Sequence, residues 1–156
     1  NRDFIEQYAA GAVQPAAAIA GLSREQLNAF PVPGTWSIQQ IVVHLMDSDL
    51  IGADRMKRVA AEDRPPTLIG YDESAFANKL FYDELDPNMA CDVFAKNRLL
   101  TAEILRRLPA AAFQRTGNHN EHGVMTLAEL LANYVEHLNH HLKFIHQKRK
   151  LLGCPA

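Results

Sequence analysis

Cysteine is scarce: Cys91 and Cys154 are the only two in 156 residues. They lie far apart with no Cys-x-x-Cys spacing, which argues against a disulfide framework and against a thiolate zinc site, and fits a reducing cytoplasm. Basic charge is not in excess, since 16 Lys and Arg face 18 Asp and Glu for a formal net charge of -2. Nucleic acid is therefore a poor partner. No apolar run approaches the roughly 20 residues that cross a bilayer, and no basic start followed by an apolar core marks a secretion signal. Membrane association is not expected, although the chain opens at Asn1 without methionine, which leaves an upstream leader open. Strand-like alternation, a sustained heptad repeat and low-complexity tracts are also lacking. What remains is a composition that is 47% hydrophobic and 22% charged, the profile of a soluble globular protein. Residues 1–156 are expected to form one domain with a real core.

Helical signals fill that space. Phe4, Ile5 and Tyr8 recur at helical spacing from Asp3 to about Ala10, and Gln14-Pro15 restarts a second piece through Leu22, so the first helix is read as interrupted. Ser23 with Gln26 forms a capping-box pattern opening a short turn, and Phe30-Pro31-Val32-Pro33-Gly34 is a rigid loop. Ser37 with Gln40 caps a long helix over about 38–62, whose face carries Ile38, Ile41, Val42, Leu45, Met56 and Val59. A crossover with a short helix around Phe76, Leu80, Phe81 and Tyr82 follows. Asp86 as cap and Pro87 at the first helical position start a third helix through Val93, Leu99, Leu100, Ile104 and Leu105. A polar loop spans Gln114 to Val124. Thr126 with Glu129 then caps a fourth helix from Leu127 to about Lys150, where Lys148, Arg149 and Lys150 read as a solvated terminus. The expected fold class is all-α, a four-helix bundle with short extra helices in its connections.

The last helix carries the chemistry. Leu127, Leu130, Leu131, Tyr134, Leu138, Leu142 and Ile145 define one stripe at about 100° per residue. His141 lies inside that stripe and His137 on its flank one turn earlier, so their imidazoles project the same way. Neutral imidazoles beside leucines need partners, and a shared divalent metal supplies them; two separately hydrogen-bonded core histidines are the plainer alternative. A third ligand should come from another helix. His44 is the candidate, about 105° from the mean apolar direction of the second long helix and on the side of Ser48, Ile51 and Arg55.

These residues resemble a known family. Gly34-Thr-Trp-Ser-Ile-Gln-Gln-Ile-Val-Val-His44-Leu-Met-Asp47, then Gly123-Val-Met-Thr-Leu-Ala-Glu-Leu-Leu131, then His137-x-x-x-His141 are similar in order and spacing to the DinB-like (DinB/YfiT) superfamily of metalloenzymes. The likeness runs from about Pro31 to Ile145. It implies a four-helix bundle binding a divalent metal through His44, His137 and His141. It also brings the superfamily's thiol-dependent transferases and isomerases, which use bacillithiol, mycothiol or similar thiols. His140 beside His141 departs from the pattern and permits a rival His137-x-x-His140 pair, but it points about 135° away from the apolar stripe, towards water.

Three imidazoles leave a divalent ion one or two open positions, where a water or thiol would lose its proton near neutral pH. A bound thiolate suits S-transfer to a small electrophile, in detoxification or stress; bound water suits hydrolysis. Hydrolysis also wants a positioned base, and Glu136 beside His137 projects to solvent, which favours S-transfer. A metal-dependent hydrolase and a non-catalytic metal-binding or interaction module are the alternatives. Imidazole ligands suit zinc or nickel first, with iron and copper also compatible, and a low-molecular-weight thiol is the expected co-substrate. Small-molecule substrate contacts are assigned to Arg55, Ser48 and Tyr134, against the plainer readings of a surface ion pair for Arg55 and core packing for Tyr134. Asp47 is a candidate to orient a ligand histidine, and Trp36 to pack the entry to the second long helix. His119 and His122 form an H-x-x-H in the polar loop. The start of the last helix lies about 16 Å from His137, so that loop is expected to stay apart unless it folds back. A homodimer through an exposed apolar helix face is the expected assembly.

Overall fold

Local capping decides where the helices begin. In the computed structural model, which describes residues 1–155, Ser23, Ser37 and Thr126 each accept from the backbone N–H three residues on. Gln26, Gln40 and Glu129 return the bond to complete all three boxes. The helices are α1 (Arg2–Ala10), α2 (Gln14–Ile19), α3 (Arg24–Asn28), α4 (Ile38–Ala61), α5 (Glu73–Lys79), α6 (Pro87–Arg107) and α7 (Leu127–Leu151), with 3-10 turns at Gly11–Val13 and Ala110–Gln114. The interrupted α1/α2 unit, α4, α6 and α7 pack as a four-helix bundle.

Three short strands were not expected: β1 (Thr67–Leu68) at the start of the crossover, and β2 (Thr116–His119) and β3 (Gly123–Thr126) in and just after the polar loop. β2 pairs antiparallel with β3 and parallel with β1, with Leu68 opposite His119. Two to four residues are too few to show an alternation, so the sequence carries no strand signal here. Gly117 allows the sheet to lie on α4, because a Cβ there would come within 2.9 Å of Leu68 and Val59.

The apolar core has two halves. Between them sit charges that periodicity did not place. Arg98 and Asp49 are 1% and 2% exposed, and Arg98 Nε donates to Asp49 Oδ1 at 2.8 Å. Asp49 also accepts from Tyr8 Oη at 3.1 Å and Asn97 Nδ2 at 2.8 Å. Burial pushes the Asp49 carboxyl up, against the pull of Arg98 and Asn97. Arg98 donates further to the Tyr8 and Tyr134 carbonyls, tying α1, α4, α6 and α7 together just before His137. Gly11 makes room for this, since a Cβ there would lie 2.6 Å from Arg98 Nη1.

Two stretches differ from expectation. Leu99 and Leu100 are exposed, because α6 turns Cys91, Phe94, Arg98, Ala102 and Leu105 inward, and the buried Arg98 takes a place on that face. Lys148 and Arg149 are buried rather than solvated. Lys148 Nζ donates to Thr35 Oγ1 at 2.5 Å, and Arg149 donates to the Ala18, Ala20 and Cys154 carbonyls. Carbonyls freed at the end of α2 need donors, and α7 supplies them.

Candidate metal centre

His44 enters the bundle from the first two turns of α4. Their position is held by the Ser37 cap and by Gln39, whose Nε2 donates to the Tyr82 and Leu85 carbonyls at 2.8 and 2.7 Å. His137 and His141 enter from the middle of α7, one turn apart as the stripe predicts. The three rings meet. Centroids are 5.1 Å apart for His44 and His137, 4.7 Å for His44 and His141, and 4.6 Å for His137 and His141. One nitrogen from each ring lies within 4.8 Å of the other two, and the Nε2 atoms of His44 and His137 are 3.1 Å apart. Tetrahedral Zn–N bonds of 2.0–2.1 Å place ligand nitrogens about 3.3 Å apart, so the spacing fits one ion.

Electrostatics agree with the geometry. His44 is fully buried and the other two are half-buried. Burial, then the neighbouring His141, pushes His44 down to about 3; burial, then His141 and His44, pushes His137 down to about 3; burial, then His140, pushes His141 down to about 4. All three are neutral at pH 7, with lone pairs free for a cation. His141 Nδ1 is buried without a hydrogen-bond partner, an orphan that metal ligation or an ordered water would satisfy. Trp36 closes one side, 4.9 Å from His44 and stacked at 6.5 Å on His141. It is thus both helix-entry packing and a wall of the site.

A cleft of about 210 Å³ opens beside His137, and Ser48, Arg55, Tyr71, Tyr134 and His119 line it. Arg55, Ser48 and Tyr134 therefore all reach the cleft, as expected. Arg55 forms no surface ion pair among the described residues: Nη1 donates to Tyr134 Oη at 3.0 Å and Nη2 to the Ile69 carbonyl at 2.5 Å. Gly52 lets the Tyr134 ring lie on α4, since a Cβ would sit 2.3 Å from Tyr134 Cζ. Asp47 does not orient a histidine; it accepts from Tyr82 Oη at 2.5 Å. His140 and Glu136 are exposed, as their angles predicted, and so is His146 near the end of α7.

Three contributors had no sequence signal. Tyr71 Oη lies 3.4 Å from His44 Nδ1, the position of a group that orients a ligand imidazole. Glu73 and Glu121 line the same cleft, and burial, then Glu121, raises the Glu73 carboxyl. The H-x-x-H loop was expected to lie apart, but the β2–β3 hairpin folds back and brings His119 and His122 to the cleft that His137 lines. With Glu121 they form a second group, sharing no residue with the first. His119 is 5% exposed, its ring 4.6 Å from that of His122. Neither cysteine takes part; burial, then Asp92, pushes the Cys91 thiol up to about 12. Among the described residues, no helix is long and apolar enough to cross a membrane.

Known proteins resemble the chain in sequence and fold. The sequence profile of the DinB superfamily matches residues 14–145. A protein of Halalkalibacterium halodurans named "Putative metal-dependent hydrolase" is 32% identical over 113 residues, which cover 72% of this chain and 65% of that one. A Bacillus licheniformis protein with the same name is 32% identical over 137 residues, 87% of this chain and 77% of its own. The structure of YfiT from Bacillus subtilis, described as "a probable metal-dependent hydrolase with an unusual four-helix bundle topology", superposes with a TM-score of 0.90 at 25% identity, covering 97% of this chain and 86% of that one. A mycothiol-dependent maleylpyruvate isomerase shares the fold at a TM-score of 0.70 and 10% identity, over 90% of this chain and 58% of its own. With its profile match spanning most of the bundle and its three-histidine cluster set between the second and last long helices, the chain belongs to the DinB superfamily.

Proposed function

We propose that the protein is a metal-dependent hydrolase of small molecules, with His44, His137 and His141 holding one divalent ion. The observation that carries this reading is the convergence of three neutral imidazoles from α4 and α7 beside a polar cleft. When bound there, such an ion polarises a carbonyl and brings the pKa of water near neutrality. The protein's own groups supply the rest. Tyr71 holds the His44 ring through Nδ1, keeping Nε2 turned to the triad. The Glu73 carboxyl, raised by burial, is a base that takes up a proton from the attacking water and returns it to the leaving group. The sequence favoured S-transfer because Glu136 projects to solvent; Glu73 and Glu121, which line the cleft, offer other carboxylates in support of hydrolysis. The names of the relatives point the same way.

S-transfer from a small thiol is the second reading, and one observation favours it. A second groove of about 380 Å³, lined by Val32, Trp36, Ile41 and Phe144, reaches His141 and shares no lining residue with the polar cleft. Two openings on one cluster suit two co-substrates. The test is turnover by zinc-loaded protein. Hydrolysis of a panel of small esters, lactones and amides without added thiol, lost in His137→Ala with fold retained, supports the first reading. Conjugation of monobromobimane or chlorodinitrobenzene only with a small thiol present supports the second and overturns the first.

A further inference from the structure

We infer that Arg55 and His119 form an anion subsite in the cleft, which anchors a carboxylate on the substrate about one tyrosine ring away from the histidine cluster. This rests on the triad reading above and adds the substrate class. Arg55 is half-buried, yet both its hydrogen bonds go to neutral oxygens, those of Tyr134 and Ile69. Its Nε is buried without a partner, and among the described residues no carboxylate lies within 4.0 Å of it. A guanidinium so placed has no carboxylate bonded to it, and its fork is suited to one.

His119 adds a second donor to the cleft lining. Its Nδ1 accepts the Glu121 backbone N–H at 3.2 Å, so the proton of the neutral ring sits on Nε2. Burial, then Arg55 and His122, holds its pKa below the ordinary range, which keeps the ring neutral and a donor at pH 7. Tyr134 sets the spacing: its hydroxyl is held by Arg55 and its ring centroid lies 6.4 Å from that of His137. Glu73 and Glu121 also line the cleft and are more exposed than the half-buried Arg55 and the buried His119. The ligand class is therefore a small molecule with one end at the triad and a carboxylate at the other, such as an acyl compound with a terminal acid.

The test uses straight-chain diacids from succinate to adipate against the monoacids of matching length, titrated calorimetrically into zinc-loaded protein. Both can meet the ion; only the diacid also reaches Arg55. The best diacid should bind about tenfold or more tightly than its monoacid. That advantage should fall below about twofold in Arg55→Met and be partly kept in Arg55→Lys, with zinc stoichiometry and circular dichroism unchanged. Equal binding of diacid and monoacid by the wild type, or an advantage that survives Arg55→Met, overturns the subsite while leaving the triad reading intact. Should zinc fail to bind, the triad reading falls alone. The subsite is then judged by thermal shifts of metal-free protein, where protection by the diacid in wild type but not in Arg55→Met supports it and equal protection overturns it.

Discussion

Stripping the metal should leave a protein that acid destabilises through its own candidate ligands. In the folded state His137 is pushed down to about 3 from an ordinary 6.5 by burial and then by His141 and His44. The unfolded chain takes up that proton below pH 6.5 and the folded chain does not until about pH 3. More protons are then bound to the unfolded state, so stability falls as pH falls through that window. Between pH 7 and pH 5 one such histidine contributes a loss of about 2 kcal/mol. Half-burial of His137 and His141 lets water relieve part of this, which gives about 1–2 kcal/mol for His137 and about 3–6 kcal/mol for the three together. His137→Gln keeps a polar side chain but does not titrate. Urea denaturation of chelator-treated protein at pH 7 and pH 5 should therefore show a smaller acid loss in the variant, by about 1–2 kcal/mol or on the order of 1 M in midpoint. Identical losses in wild type and His137→Gln would refute the reasoning, because the histidine would then titrate alike folded and unfolded.

Other consequences concern the supports of the site. Arg98→Met leaves the Asp49 carboxylate buried without its cation, and should cost about 3–5 kcal/mol, read as a fall in Tm of roughly 10 °C. Gly52→Ala drives a Cβ into the Tyr134 ring, and should cost about 1–3 kcal/mol in denaturant titrations but almost nothing in a Tyr134→Ala background. Tyr71→Phe removes the hydroxyl beside His44 Nδ1; competition with a chromophoric chelator should show zinc affinity about tenfold weaker, with stoichiometry unchanged.

What was legible in the sequence was local. Capping boxes join residues three apart, so Ser37 with Gln40 and Thr126 with Glu129 marked the starts of α4 and α7 before any packing was known. The apolar stripe of α7 aimed His137 and His141 inward and His140 outward, and the structure keeps those directions. What stayed hidden depends on partners distant in the chain. Arg98 can be buried only because Asp49, Tyr8 and Tyr134 supply its acceptors from other helices, so the apolar pattern of α6 alone placed Leu99 and Leu100 inward and missed the face that Arg98 occupies. Lys148 and Arg149 are buried for the same reason. Helical rise measured where α7 starts but not where the hairpin before it turns, and that turn brings His119 and Glu121 back to the cleft.

The most direct measurement is zinc binding by tag-free protein, followed by titration calorimetry and elemental analysis. One ion per chain is predicted, with affinity at least about a hundredfold weaker when His44, His137 or His141 is replaced singly by glutamine and unchanged in His140→Gln and His119→Gln. Wild-type affinity in His44→Gln, or loss of zinc in His119→Gln alone, would contradict a centre built from α4 and α7.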